Sequence, residues 1–243
     1  MVEDEATGTT DITNSELAYL GYAAQLKEDN YARRSGLAYN GGDGSLIRGN
    51  HIHHNMFGFY SKGVGDIILE DNHLHDNYVY GFDPHTGTHD MIIRNNTVHD
   101  EGHIGIICSL DCYNITIEDN ELYNNTDVGI MFSRNISDSV ARNNHVHDET
   151  QCIFVSASHN NEVYNNIVSD CENGIYLRDD SSNNKIYNNT ITNSKSNGIL
   201  VNTGASDNTF SSNTIINAAE FGINVAEDSD SVNNIFENNN LII

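Results

Sequence analysis

The densest group of reactive side chains in the sequence lies at residues 80–85, which read Tyr-Gly-Phe-Asp-Pro-His. This short segment offers a phenol (Tyr80), a carboxylate (Asp83) and an imidazole (His85), which are groups that proteins use to move protons. It also contains Pro84, the only proline in the 243 residues. Because proline cannot donate a backbone hydrogen bond, we expect Pro84 where the chain bends or turns outward. The segment is the first candidate for a reactive site.

An internal repeat determines which way these side chains point. In one series of nine copies, spaced 22 to 26 residues apart, the chain has Asn, then any residue, then Ile, Leu or Val. A series of glycines that includes Gly81 keeps the same step, with Cys152 in place of one glycine. A third short apolar run lies between the two series. The repeated asparagines are Asn50, Asn72, Asn96, Asn120, Asn144, Asn166, Asn189, Asn213 and Asn239.

Three short strands in each repeat of about 23 residues predict an all-β parallel β-helix, a solenoid of about nine turns. The multiple leucines per unit that leucine-rich repeats require are missing, and so is the periodicity of helices. Because the repeat leaves no linker, we expect a single domain over residues 1–243. We expect the asparagines to stack into amide ladders at a bend of each turn.

The charge of the chain limits its partners. Acidic residues outnumber basic residues by 35 to 11, which gives a formal charge of −24. Nucleic acid is excluded as a partner class, because binding phosphates requires clustered Lys and Arg. No apolar stretch reaches the length that a membrane span needs. The N-terminus lacks a signal-peptide pattern, and we expect that a targeting segment has been removed.

The turn glycine gives the register of each repeat. The residue after it is Phe or Ile in eight turns and must face the core, so strand alternation turns the fourth residue outward. Asp83 is expected to face outward beside His85, and Tyr60 either lines this outer surface or packs against it. The fourth residues of successive turns are Lys62, His85, Ser109, Ser133, Ser156 and Arg178.

Three basic side chains are expected on this outer surface. Turns stack about 4.8 Å apart, so Lys62 lies one rung before His85 and Arg134 about two rungs after it. Arg178 lies further along. A positive stripe on an anionic protein indicates an acidic polymer lying along the helix axis. The alternative is scattered surface charge.

The segment Tyr80–His85 resembles the signature of mannuronan (alginate) C-5 epimerases, which are right-handed parallel β-helices. Gly58-Phe-Tyr-Ser-Lys62 and the run from Asp66 to Tyr80 resemble the periplasmic branch of that family. Ser15–Gly21 is similar to its earlier turns, and the similarity is closest from about residue 15 to 135. The resemblance implies a protein of the periplasm, cell surface or extracellular space. Its implied partner is an anionic polysaccharide, polymannuronate or alginate, and we expect a monomer.

The resemblance also implies roles for individual residues. His85 corresponds to the residue that removes the C5 proton, Tyr80 to the opposing acid or base, and Asp83 to a support for the histidine. Two positions depart from the family pattern: Thr86 stands where an acid follows the histidine, and Leu110 stands where the periplasmic branch has an arginine. Arg134, which that branch matches, would then pair with the substrate carboxylate.

The implied chemistry requires these groups. A C5 proton beside a charged uronate carboxylate is not acidic until cations or hydrogen-bond donors neutralise that carboxylate. A base then removes the proton on one face, and an acid returns a proton on the other. We expect His85 as base, Tyr80 as acid, and Arg134 and Lys62 as neutralising groups, with Tyr60 and Arg178 binding substrate. The two proton-transfer roles are also compatible with the reverse assignment.

Two other activities fit the same residues. A polyuronate lyase shares the proton abstraction but then expels the C4 oxygen, so that it cleaves the chain by β-elimination. A β-helix without catalytic activity would only bind polysaccharide or serve at the cell surface, and the departures at Thr86 and Leu110 favour that reading. The family signature favours the epimerase over the lyase.

Candidate metal ligands fall into two sets. The cysteines lack metal-site spacing, so buried thiols are the main interpretation and a disulfide is the alternative. Several histidines flank the inward aliphatic residue after the ladder asparagine and should form columns, which are either solvated turn residues or a metal site. We expect no required cofactor; calcium is a candidate ion, although no loop of spaced Asp and Asn ligands exists for it. The residues are Cys108, Cys112, Cys152 and Cys171, and His51, His53, His54, His73, His75, His99, His103, His145 and His147.

Overall fold

The computed structural model describes residues 2, 6–20, 36–227 and 230–242, and every regular element in these ranges is a β-strand. The strands form three parallel sheets, and each full turn of the chain adds one strand to each sheet. The predicted parallel β-helix is therefore confirmed. Gly21, the last residue of one of the segments that resemble the family, lies outside the described residues. Within those residues no helix has the length and apolar character that crossing a membrane requires.

The first and second sheets are built from strands of two or three residues. The first sheet contains β1 (Ile12–Thr13), β4 (Leu46–Arg48), β7 (Ile68–Glu70), β10 (Ile92–Arg94), β13 (Thr116–Glu118), β16 (Val140–Arg142), β19 (Glu162–Tyr164), β22 (Lys185–Tyr187), β25 (Thr209–Ser211) and β28 (Ile235–Glu237). The second contains β2 (Glu16–Ala18), β5 (His51–His53), β8 (His73–His75), β11 (Thr97–His99), β14 (Glu121–Tyr123), β17 (His145–His147), β20 (Ile167–Ser169), β23 (Thr190–Thr192), β26 (Thr214–Ile216) and β29 (Asn240–Ile242).

The third sheet has the longest strands and carries the segment Tyr80–His85. Its strands have four to six residues, and β9 is the segment itself. They are β3 (Gly36–Tyr39), β6 (Phe57–Lys62), β9 (Tyr80–His85), β12 (Ile104–Ser109), β15 (Val128–Ser133), β18 (Gln151–Ser156), β21 (Asn173–Arg178), β24 (Asn197–Val201) and β27 (Phe221–Val225).

The core is a stack of equivalent aliphatic residues. On the second sheet Ile52 pairs in register with Leu74, and Leu74 with Val98, and all three are fully buried. One cluster of buried side chains runs from Leu37 to Ile215. Burying one such side chain contributes about 1.5–3 kcal/mol, so the free energy of folding comes mainly from this repeated column.

The predicted asparagine ladder is confirmed. Asn50 Nδ2 donates to Asn72 Oδ1 at 3.0 Å, and Asn72 Nδ2 donates to Asn96 Oδ1 at 3.0 Å. Each amide oxygen also accepts from the backbone N–H of the previous rung, as Asn72 Oδ1 does from Asn50. The left-handed backbone conformation belongs to the residue before the ladder asparagine, such as Asp71 at φ 55°. The ladder thus provides hydrogen bonds for backbone and amide groups that are buried at the bend, away from water.

A second ladder, which the sequence analysis missed, contains buried glutamates. Asn77 donates its backbone N–H and its Nδ2 to Glu101, each at 2.9 Å, and Asn125 Nδ2 donates to Glu149 Oε1 at 2.7 Å. Burial raises the pKa of Glu101 well above its ordinary value and that of Glu149 to about 8. Glu149 Oε2 is buried without a hydrogen-bond partner among the described residues. Both carboxyls are therefore favoured in the neutral form.

The cysteines divide into two pairs. Cys108 and Cys112 are buried free thiols, as expected. Cys152 and Cys171 form a disulfide with Cα atoms 5.8 Å apart, so the expectation of thiols is wrong for this pair. Cys152 occupies the glycine position of its turn, and Cys171 lies five residues after ladder residue Asn166, the same offset that Glu149 has from Asn144. The β-helix brings the two positions together although 19 residues separate them in sequence.

We expect the buried glutamates to make the fold less stable at alkaline pH. A carboxyl whose pKa is raised in the folded state stabilises the fold below its unfolded pKa, and that contribution is lost as pH rises toward about 8. Glu149→Gln should therefore have a higher free energy of unfolding than the wild type at pH 9, by on the order of 2–4 kcal/mol, and a similar one at pH 4. Urea unfolding at both pH values measures this.

The exposed Glu172→Gln variant is the matched control, and its unfolding curve should follow the wild type at both pH values. Wild type and Glu149→Gln curves that shift in parallel from pH 4 to pH 9 would show that Glu149 is ionised in the folded protein.

Candidate active site

Strand β9 bends at Gly81 and Phe82. Phe82 is fully buried in the core, and a Cβ atom at Gly81 would lie 2.6 Å from the Gly105 carbonyl oxygen and 2.7 Å from Val98 Cγ1. Because two successive residues face inward, the alternation shifts by one at this bend, and only glycine fits there. Tyr80 packs against apolar clusters outside the core. Consequently Tyr80 and His85 both lie on the outer face, although they are five residues apart.

The column of fourth residues has the predicted register. His85 pairs with Lys62 of the preceding strand and with Ser109 of the following strand. The pairing continues from Ser109 to Ser133, Ser156 and finally Arg178. We call this set of six residues the outer column. Lys62 is exposed and His85 half-buried, whereas the three serines are buried.

A second column of left-handed residues follows the outer column and covers it. Its φ angles lie between 39° and 63°, and three of its residues contact side chains of the outer column. Thr86 contacts His85, Arg134 donates a hydrogen bond to the Ser109 hydroxyl, and Asp179 accepts one from the Ser156 hydroxyl at 2.7 Å. We call it the covering column; its residues are Gly63, Thr86, Leu110, Arg134, Ala157 and Asp179.

The two residues that depart from the family pattern, Thr86 and Leu110, belong to the same covering column as Arg134. Thr86, Leu110 and Arg134 occupy consecutive rungs, since their backbone N–H groups each donate to the next turn at equivalent positions. The arginine is therefore displaced by one rung, about 4.8 Å, from the position of Leu110. Its guanidinium reaches back to Ser109, the residue next to His85 in the outer column.

The imidazole of His85 is held on both sides. Its Nδ1 lies 2.5 Å from the Thr86 hydroxyl, and its ring lies 5.6 Å from the ring of Tyr60. Burial, followed by the charges of Arg134 and Lys62, lowers the pKa of His85 to about 4. His85 is therefore neutral near pH 7, the state that a general base requires. When Nδ1–H is donated to Thr86, Nε2 carries the free lone pair.

Asp83 is more enclosed than expected. It is only 2% exposed, and its Oδ1 has no hydrogen-bond partner among the described residues. Burial raises the pKa of Asp83 to about 8, and the nearby charge of Arg134 opposes that rise. The side chain that was expected to face outward beside His85 is therefore enclosed by its neighbours. The contact that the described structure gives to His85 Nδ1 comes from Thr86 instead.

The two tyrosines occupy different ends of the site. Tyr60 pairs in register with Asp83, stacks on Phe57 at 6.0 Å and contacts His85, so it both packs and lines the site. Burial and then Asp83 raise the pKa of Tyr60 to about 12. Tyr80 stacks on Phe57 at 5.4 Å at the start of β9. Five residues of strand separate the Cα atoms of Tyr80 and His85 by at most about 16 Å.

Arg178 lies at the far end of the outer column. It is four rungs from His85, about 19 Å, and its side chain pairs with Asp179 at 2.7 Å. Its guanidinium also lies over the Phe154 ring at 5.1 Å. The structure thus brings Lys62, Tyr60, Asp83 and Arg134 around His85 and leaves Arg178 remote.

The sequence pattern predicted neither the contact of Thr86 with His85 nor the apolar floor of the outer face. Ile104, Ile107, Val128 and Phe154 form a buried cluster outside the core, joined by Tyr80 and Tyr176 at its edge. The available signal was the apolar residue at outward positions of β12, β15 and β18. An apolar floor beside cations suits the faces and charges of a sugar acid polymer.

Residues that could hold a metal lie on another sheet. Among the described residues, the groups with suitably close ligand atoms belong to the second sheet. They are His51 with His73 and His75, Glu16 with His51 and His53, and Glu121 with His145 and His147. The predicted histidine columns are confirmed by the register of β5 with β8 and of β8 with β11.

Known proteins with similar sequences carry the name mannuronan C5-epimerase. The mannuronan C5-epimerase of Pseudomonas putida is 34% identical over 98 residues, which cover 37% of this chain and 18% of that enzyme. The mannuronan C5-epimerase of Pseudomonas aeruginosa is 46% identical over 43 residues, 18% of this chain and 8% of that enzyme. The resemblance to mannuronan C-5 epimerases is thereby confirmed. The matched segments span less than a fifth of these relatives.

The fold and the family have wider matches. The crystal structure of the periplasmic alginate epimerase AlgG superposes with a TM-score of 0.75 at 22% identity, covering 97% of this chain and 61% of that one, and shows the same fold. The sequence model of one family, described as "Periplasmic copper-binding protein (NosD)", matches residues 14–204 and 135–242. Because these matches extend over nearly the whole sequence, the chain belongs to the NosD family.

Proposed function

We propose that the chain is a mannuronan C-5 epimerase, which converts β-D-mannuronate to α-L-guluronate within polymannuronate or alginate. The observation that carries the proposal is a neutral His85 between two cations on the outer face of the third sheet, with Tyr80 further along the same strand. The named relatives support the same reaction.

The first step of the reaction requires a neutralised carboxylate. Arg134 and Lys62 flank His85 along the helix axis, so a uronate carboxylate placed over Ser109 or Lys62 would meet a positive charge. Neutralising that carboxylate stabilises the carbanion-like intermediate that forms when C5 loses its proton. His85 Nε2 accepts this proton, and the C5–H electron pair delocalises into the carboxylate.

The second step returns a proton from the opposite side of the sugar. Tyr80 is the proposed acid: its hydroxyl gives a proton to C5 and then regains one from water, while His85 releases to water the proton that it took from C5. Tyr60 touches the His85 ring, which leaves no room for a sugar between them. The span of at most about 16 Å between the Cα atoms of Tyr80 and His85 can hold a pyranose ring between the two side chains.

We propose that the protein works in the periplasm or outside the cell. The disulfide between Cys152 and Cys171 favours an oxidising compartment. The family description and the alginate epimerase AlgG both carry the word periplasmic. The proposed partner is the anionic polymer, bound by a monomer.

One assay separates the three candidate activities. Polymannuronate is incubated with the protein in heavy water and followed by proton NMR. Guluronate signals with deuterium at C5 indicate an epimerase, and unsaturated chain ends indicate a lyase. An unchanged spectrum together with binding of the polymer would contradict the proposal and favour a binding protein.

His85→Ala should abolish turnover and leave cooperative unfolding unchanged, because the side chain lies on the outer face.

Wild-type activity should also fall as pH drops through about 4, since the lowered pKa keeps His85 neutral only above that value. Initial rates from pH 3.5 to 8 measure this. His159→Ala, at a turn away from the site, should retain activity. Loss of cooperative unfolding in His85→Ala would make His85 a structural residue.

Arg134→Leu should lower kcat by about 100- to 1000-fold, the usual cost of removing one electrostatic stabiliser of a transition state. Arg178→Leu should have a much smaller effect, because that side chain pairs with Asp179 four rungs away. Adding Leu110→Arg to Arg134→Leu should restore part of the activity, since position 110 is one rung nearer to His85. Equal, small effects of both single variants would place the carboxylate partner elsewhere.

Moderate salt should lower the apparent KM. The net charge of −24 repels a polyanion at long range, and screening over about 8 Å at physiological ionic strength weakens that repulsion more than contacts with Arg134 or Lys62. Initial rates against substrate concentration at increasing NaCl, with and without EDTA, test this, and activity should persist without calcium. A KM that climbs steadily from the lowest salt would show that attraction dominates the encounter.

A further inference from the structure

The outer face of the second sheet carries a dense group of histidines. His51 pairs in register with His73, and His53 pairs with His75, which pairs with His99. The rings of His53 and His75 stack at 5.1 Å and those of His75 and His99 at 5.2 Å. Stacking by register alone explains rings 5 Å apart; it does not explain why their nitrogen atoms converge.

These histidines form two columns, one of His51 and His73 and the other of His53, His75 and His99. Nitrogen atoms of one column lie close to nitrogen atoms of the other. His51 Nε2 lies 2.6 Å from His75 Nε2, and His73 Nε2 lies 2.8 Å from His99 Nε2. One ligand atom from each of His51, His73 and His75 lies within 4.8 Å of the others. Nitrogen ligands on a tetrahedral ion, with bonds of about 2.0–2.1 Å, are about 3.3 Å apart, so small side-chain rotations would place all three around one ion.

Carboxylates orient two histidines in the column of His53, His75 and His99. His75 Nδ1 bonds to Asp76 Oδ2 at 2.7 Å, and His99 Nδ1 bonds to Asp100 Oδ2 at 2.7 Å. A carboxylate on Nδ1 fixes the tautomer in which Nε2 is free to bind a metal, and it makes that nitrogen more basic. Asp76 itself has a left-handed backbone, φ 52°, which places its side chain beside the preceding histidine.

We propose that His51, His73 and His75 form a binding site for a divalent transition-metal ion, with Asp76 as the positioning residue behind His75. Imidazole ligands suit Cu²⁺ and Zn²⁺, whereas Ca²⁺ and Mg²⁺ prefer oxygen. Cu²⁺ should bind most tightly in the usual order of affinities. These three imidazole ligands suit the copper that the family description names, and the proposal identifies the residues of this chain that would bind it.

The site stands apart from the proposed epimerase centre. His75 and His85 belong to the same turn but to different sheets, β8 and β9. The net charge of −24 adds a general attraction for cations, which other acidic surfaces share. The converging imidazole nitrogens distinguish this site from other acidic surfaces. An experiment that tests the site must therefore detect nitrogen ligands rather than enzymatic activity.

The experiment measures Cu²⁺ and Zn²⁺ binding to the full chain by calorimetry, with electron paramagnetic resonance of the Cu²⁺ form. We expect one tight equivalent and hyperfine couplings from imidazole nitrogen. The triple variant His51→Ala, His73→Ala, His75→Ala should lose this equivalent, at least a 100-fold fall in affinity. Asp76→Asn, which tolerates the same backbone, should weaken binding about tenfold and leave the number of sites unchanged.

The matched control is His89→Ala. His89 also bonds through Nδ1 to a following aspartate, Asp90 at 2.8 Å, and stacks on Tyr113, but it belongs to another column. This variant should bind Cu²⁺ like the wild type. The proposal is overturned if the wild type shows no tight equivalent, if the triple variant binds as the wild type does, or if Asp76→Asn leaves the affinity unchanged. Circular dichroism of each variant confirms folding, and Asp76→Asn provides the test if the triple variant does not fold.

Discussion

Every feature of this protein depends on the parallel register that stacks equivalent residues about 4.8 Å apart. The register is fixed on the inside by aliphatic columns such as Ile52, Leu74 and Val98, and at the bend by the asparagine ladder. A slip of one residue would turn the whole aliphatic set outward. The same constraint that builds the core therefore also aligns outward side chains into columns, including Lys62 with His85 and His51 with His73.

The part of the site that follows from register could be predicted from the sequence. The spacing of the turn glycines placed Lys62, His85 and Ser109 in one column, and the structure has that column. The fold could be predicted for the same reason, because few folds other than a parallel β-helix accommodate a repeat of three short strands. Whether residues 1–243 form one domain, and which side chains perform the reaction, remain predictions.

What the sequence did not predict depends on contacts between turns. The contact of Thr86 with His85 arises where a left-handed residue bends the chain over its neighbour, and the alternation of side chains predicts neither this contact nor the burial of Asp83. The disulfide required knowing that a glycine position and a ladder position of successive turns adjoin. The buried glutamates were hidden because Glu is usually exposed, yet an amide ladder can accept a neutral carboxyl in place of an amide.

The charge state of Asp83 determines what Arg134 can do. An ionised Asp83 close to Arg134 would neutralise the guanidinium and leave it a poor partner for the uronate of the proposed substrate. Burial instead raises the pKa of Asp83 to about 8, so that near neutral pH the carboxyl is mostly uncharged. The positive charges of Arg134 and Lys62 then remain available, and burial followed by these charges lowers the pKa of His85 so that it stays unprotonated. A protein with 35 acidic residues can thus maintain a small cationic site, because burial keeps Asp83, the acid beside Arg134, mostly neutral.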